Sequence, residues 1–62
     1  MAKPTKLDIL RMEAHAEADI QAIRGFEISL GKTQKEATAI AVKTVRVKYP
    51  LIANSPIFKI AE

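Results

Sequence analysis

The 62-residue chain predicts an all-α fold, and three observations carry that expectation. Apolar residues recur at helical spacing over residues 7–30 and again over 37–47. Each run follows a threonine placed to cap a helix, Thr5 with Asp8 and Thr33 with Glu36. Gly31 and Pro50 stand where those runs should end, the first suited to the left-handed closing residue and the second unable to donate a backbone bond. The expected architecture is one small helical domain over residues 1–62. It has a long helix over about 5–30, a shorter basic helix over about 34–49, and an irregular or short-strand C-terminal arm over 50–62.

The first helix carries more apolar surface than one neighbour can cover. At about 100° per residue, Ile9, Met12, Ala16, Ile20, Ile23, Phe26 and Leu30 share one arc, the expected core face. Leu7, Leu10, Ala14, Ala18 and Ile28 form a second stripe, separated from the first by charged residues. A chain of this size buries only about 60% of the surface its unfolded form exposes. Without cysteine it has no disulfide to add. Dimerisation through the second stripe is therefore expected, the alternative being the C-terminal arm folded back over it. Gly25 lies inside the helix and marks a place where it could kink.

In the second helix, Ala37, Ile40, Ala41, Thr44, Val45 and Val47 form one broad face, with Lys35, Ala39, Val42, Lys43 and Arg46 opposite. Its β-branched residues leave a strand over 43–49 as the alternative. Beyond Pro50, the Asn54, Ser55, Pro56 turn signal precedes Ile57, Phe58, Lys59 and Ile60, which fit a short strand or an apolar arm.

The net charge of +3 conceals a dipolar molecule. Residues 1–7 carry +2 from Lys3 and Lys6. Residues 8–30 carry −3, from Asp8, Glu13, Glu17, Asp19 and Glu27 against Arg11 and Arg24. Residues 31–50 carry +4, from Lys32, Lys35, Lys43, Arg46 and Lys48 against Glu36, and Lys59 offsets Glu62. A basic helix beside an acidic one suits contact with phosphates, so Lys32, Lys35, Lys43, Arg46 and Lys48 are the expected nucleic-acid-binding residues. The bland alternative is pairing of those cations with the acids of the first helix. Asp19 falls within the main apolar arc and is expected to meet Lys35, Lys43 or Arg46 across the fold or a subunit boundary.

Gly31, Lys32, Thr33, Gln34, Lys35, Glu36 and Ala37, followed by Ile40 and Val42, resemble the first half of a bacterial or phage helix-turn-helix. The resemblance stops there: Ala41 stands where that motif usually has the glycine of its turn, and Pro50 cuts short the recognition helix. No family is identified from it. Gly31, Lys32 and Thr33 also echo a phosphate-binding loop, but the upstream glycine, Gly25, is misplaced by one residue and no strand precedes it.

No catalytic constellation is visible. His15 is the only histidine and has too few converging ligands for a metal. Glu13 and Glu17 lie on a solvated surface, and Ser29 and Ser55 lack a nearby base. The chain is accordingly expected to be no enzyme, to use no cofactor or metal, and to act by binding. A small dimeric nucleic-acid-binding regulator is the preferred reading. A regulator or inhibitor docking on a larger protein is the alternative, through the second stripe or through Ile57, Phe58 and Ile60. Asp8, Arg11 and Glu13 interrupt any signal-peptide core, and no run approaches the roughly 20 apolar residues that span a bilayer, so a cytoplasmic protein without membrane contact is expected.

Overall fold

The computed structural model describes residues 3–61, with side chains as far as Lys59. Helix α1 (Lys6–Ser29) begins where its first free amide groups find acceptors. The Thr5 hydroxyl oxygen accepts from the Asp8 amide at 3.2 Å, and the Asp8 carboxylate accepts from the Thr5 amide at 3.0 Å. The helix runs unbroken through Gly25. It closes at Gly31, whose φ of +100° lets the Lys32 amide reach the Glu27 carbonyl (3.2 Å) while the Gly31 amide reaches that of Ile28 (2.9 Å).

Helix α2 (Gln34–Lys48) starts on Thr33, whose hydroxyl oxygen accepts from the Glu36 amide at 3.2 Å. The reciprocal half of the capping box is replaced: the Glu36 carboxylate accepts from the Thr33 hydroxyl, at 3.1 Å, and not from its amide. The helix is continuous through Ala41 to Lys48, so residues 43–48 are helical and the helix-turn-helix resemblance does not extend to a turn. Tyr49 caps it, and Pro50 opens a 3₁₀ turn (Pro50–Ile52).

The C-terminal arm is neither irregular nor a strand. It forms a third helix, α3 (Pro56–Ala61), and no strand occurs among the described residues. Pro50 and Pro56 each occupy the first position of a helical segment, where the missing amide hydrogen costs nothing. Ser55 fastens the start of α3. Its carbonyl accepts from the Phe58 amide at 3.2 Å, its hydroxyl oxygen from the Ile57 amide at 3.4 Å, and its hydroxyl donates to the Glu13 carboxylate on α1.

Arg24 faces Thr38 and Asp19 faces Lys48, so α1 and α2 run antiparallel about the Gly31 turn. At about 1.5 Å per residue α1 is some 36 Å long, and it outreaches α2. The segment after Pro50 packs against that overhang. Ala16, Ile20, Ala41, Val42, Val45, Ile52 and Phe58 form the core, with Ile9, Met12, Ile23, Tyr49 and Ile57 half-buried against it.

Several expected faces are corrected. Phe26 and Leu30 are 62% and 61% exposed: Phe26 sits at the edge of the arc and Leu30 lies past the last turn, while α2 meets that end with the short side chain of Ala37. On α2, Val42 is buried and Val47 is 78% exposed, because Ile52 and Phe58 arrive on the Val42 side. The buried Thr38 hydroxyl on that side accepts from the Arg24 Nε at 3.1 Å. Phe58, expected to face a partner, is fully buried; Ile57 packs at the core margin, and the Ile60 side chain lies outside the described residues.

The two glycines predict opposite responses to alanine. Gly25 is helical with open space at its Cβ position, so Gly25→Ala should stabilise by about 1 kcal/mol. Gly31 also has open space, but its positive φ makes Gly31→Ala cost about 1–2 kcal/mol. Urea unfolding followed by circular dichroism checks both. Equal shifts of the two midpoints would contradict the left-handed closure.

Candidate nucleic-acid interface

With Ala37, Thr38, Ala41, Val42 and Val45 turned inward, helical geometry turns Lys35, Ala39, Lys43 and Arg46 toward another side of α2, and Lys32 precedes them in the turn. Lys35 and Lys43 are then about 12 Å apart along the axis, a length over which a duplex presents several phosphates. Lys32, Lys35 and Lys43 are exposed, and none forms an ion pair with another described residue. Much of the acidic charge is occupied locally: Asp8 and Glu36 at helix starts, Glu13 on Ser55, Asp19 on Lys48.

The other two expected contacts behave differently. Arg46 is half-buried at the inner edge of the row, its guanidinium carbon 5.3 Å from the centroid of the Phe58 ring. Lys48 belongs to the fold: its ammonium lies 3.0 Å from the Asp19 carboxylate, which also accepts from the Tyr49 hydroxyl at 3.1 Å. Asp19 thus finds the cation its position demanded, but it is Lys48, not Lys35, Lys43 or Arg46. Lys48 stands on the α1-facing side of α2, one turn beyond Thr44 and Val45, where an antiparallel neighbour brings Asp19 within reach.

Lys59 falls outside the expected set because its charge is offset by Glu62 in the sequence; the α3 helix brings it to the same depression as Arg46. Arg46 and Lys59, with Ala53, Asn54 and Ser55, line an open depression of about 260 Å³. The row therefore continues from α2 onto α3.

The Lys48 bond, then the Tyr49 bond, holds the Asp19 carboxyl below its ordinary 3.8. The bond to Asp19 raises Lys48, and burial followed by the same bond raises Tyr49. A lowered carboxyl contributes stability that is present above its unfolded value and lost as pH falls through the folded one. Raised Lys48 and Tyr49 contribute stability that is present below their ordinary 10.5 and 10.0 and lost as pH rises through their folded values. Asp19→Asn should therefore reduce the loss of stability below about pH 4 and weaken the alkaline loss, as measured by urea midpoints across pH. A variant with the wild-type pH profile would contradict this network.

The second stripe of α1 remains on the surface: Leu7 and Leu10 are more than half exposed, Ile28 is 37% exposed, and Ala14 and Ala18 are exposed. α3 covers the main face and not this one. Among the described residues no helix is long and apolar enough to cross a membrane, and no cluster of three His, Asp or Glu converges. No family model matches the chain, and no characterised protein or solved structure is significantly similar to it.

Proposed function

We propose that this chain is a non-enzymatic nucleic-acid-binding protein that docks on phosphates through Lys32, Lys35, Lys43, Arg46 and Lys59, working as a dimer. The observation that carries the assignment is the α2 row: its lysines point to solvent and are not neutralised by the acidic α1, the arrangement that an electrostatic footprint requires. Lys48 leaves the set because Asp19 holds it. Fluorescence anisotropy with a short duplex across a salt series tests the proposal. Affinity should fall linearly with log salt, with a slope near 0.9 per phosphate neutralised. Binding that is absent at low salt, or insensitive to salt, would overturn it.

A second copy is the proposed cover for Leu7, Leu10, Ala14, Ala18 and Ile28. Supporting this are their exposure on a helix that already spends its other face on α2 and α3, and the small core available to so short a chain. A dimer would also double the basic row presented to a duplex. Sedimentation at micromolar concentration should give a dimer mass, and Leu10→Glu with Ile28→Glu should give a folded monomer. A wild-type monomer would remove the dimer and leave the stripe to a larger protein partner.

A further inference from the structure

The basic row carries charge without the groups that read sequence. A base edge is recognised best by two bonds held in one plane, from the fork of an arginine or the amide of an asparagine or glutamine aimed into a groove. The exposed side of α2 offers Lys35, Ala39 and Lys43 at successive helical turns, with Lys32 before them and Lys59 following on α3. A lysine is a compact point charge on a flexible stem, suited to a phosphate and poor at fixing two bonds in a plane. The described body is 43 Å long and 16 Å across, so these charges stand on a straight support.

Among the described residues the forks and amides are mostly turned elsewhere. Arg24 donates from its Nε to the buried Thr38 hydroxyl, and Arg46 lies with its Nε buried and its guanidinium over the Phe58 ring. Arg11 and Gln21 flank the second stripe of α1, on the far side from α2. Gln34 stands one turn before the buried Thr38, on the inner side of α2, which leaves Asn54 as the amide at the row's α3 end. Rings that could stack on unpaired bases are also away from the row. Phe58 is fully buried, the Tyr49 hydroxyl is bound to Asp19, and Phe26 lies two turns beyond Asp19, on the side of α1 where Asp19 meets Lys48. Without stacking, the row draws its affinity from charge density, which a duplex supplies at about one charge per 1.7 Å of axis, more than a single strand.

We infer that the basic row binds double-stranded nucleic acid through its phosphate backbone, without selecting sequence. The inference rests on the nucleic-acid assignment and adds to it the strandedness of the partner and the lack of base readout. Competition anisotropy tests it: a labelled duplex is displaced by unlabelled competitors of equal length, namely A·T-rich, G·C-rich and mixed DNA duplexes, an RNA duplex, and single strands. The DNA duplexes should compete within about fivefold of one another, the least that one base contact contributes, whereas sequence-reading proteins separate their sites from others by about 10³–10⁷. Single strands should compete several-fold less well. Displacement by DNA, RNA or both duplexes names the source of the phosphates. Lys43→Gln should weaken every duplex alike, by about fivefold, with the salt slope reduced by about 0.9, and Lys43→Arg should restore both. Asn54→Ala should leave the ranking of sequences unchanged. Both positions are exposed, so circular dichroism should report an intact fold.

A wider spread among the DNA duplexes would overturn the inference, and a guanine-rich favourite would assign Lys35 or Lys43 to base edges. Single strands that compete as well as duplexes would overturn it too, as would a Lys43→Gln or Asn54→Ala loss confined to some sequences. Each of these results leaves the nucleic-acid assignment standing, because each requires that the labelled duplex bind. A labelled duplex that fails to bind in direct titration at low salt would instead sink that assignment, and this inference with it.

Discussion

Phe58→Ala is expected to unfold a large part of the protein at room temperature. Phe58 is fully buried and is the largest such side chain, in a core otherwise built from Ala16, Ile20, Ala41, Val42, Val45 and Ile52. Truncating a buried phenylalanine costs about 3–5 kcal/mol, from lost transfer free energy and the cavity left behind. A chain of this length has a total stability of roughly 3–9 kcal/mol at typical per-residue values. The two ranges overlap, so one substitution removes most of the margin. The same ring carries the Arg46 guanidinium and seats α3, so helix content, the Asn54 to Lys59 link and the basic row should all loosen together. Urea unfolding followed at the helix band of circular dichroism provides the check. Val47→Ala, at a position 78% exposed, should stay within about 0.5 kcal/mol of wild type. A Phe58→Ala midpoint as close to wild type as that of Val47→Ala would mean that α3 does not close the core.

Lys35→Glu combined with Lys43→Glu is expected to abolish most duplex affinity while leaving the fold intact. Each phosphate contact contributes about 0.9 to the salt slope, which at about 0.15 M salt corresponds to roughly fivefold in affinity. Two lost contacts therefore amount to about 30-fold, before any repulsion from the new carboxylates, and the slope itself should fall by about 1.8. Both side chains are exposed and form no ion pair with a described residue, so their replacement breaks nothing inside. Glu at position 35 even sits in the first turn of α2, where the helix dipole favours an anion. Lys48→Glu is the instructive contrast, since it would set a second carboxylate against Asp19 and disturb the α1–α2 contact. Anisotropy titrations at several salt concentrations, alongside thermal unfolding, distinguish the two effects. A double variant that binds as wild type would remove α2 as the docking face.

Local signals sufficed wherever neighbours in the chain decide the outcome. Thr5 with Asp8, Thr33 with its following residues, Gly31 and Pro50 mark both long helices to within a residue or so, because capping and closure depend on backbone groups a few positions away. The charge asymmetry of the two helices belongs to the same class. The inward side of α2 belongs to it only in part: periodicity placed Ala37, Ala41 and Val45 inward but also offered Thr44 and Val47, which are exposed, and the arrival of Ile52 and Phe58 chose Val42. The C-terminal segment is a short helix for a similar reason. Six residues with little intrinsic helicity gain their order by burying Phe58 and by the Ser55 bond to Glu13, a contact 42 positions distant in the chain.

The candidate site divides along the same line. The amino-acid sequence by itself determined two capped helices, their boundaries, and a cationic stretch from Lys32 to Lys48, all consequences of short-range hydrogen bonding and composition. Tertiary structure decided which cations are available. Antiparallel pairing placed Lys48 on Asp19 and left Lys35 and Lys43 in water, and the docking of α3 brought Lys59 to the same depression as Arg46. These outcomes depend on rotation and register between elements, set by the few large side chains that fill one small core.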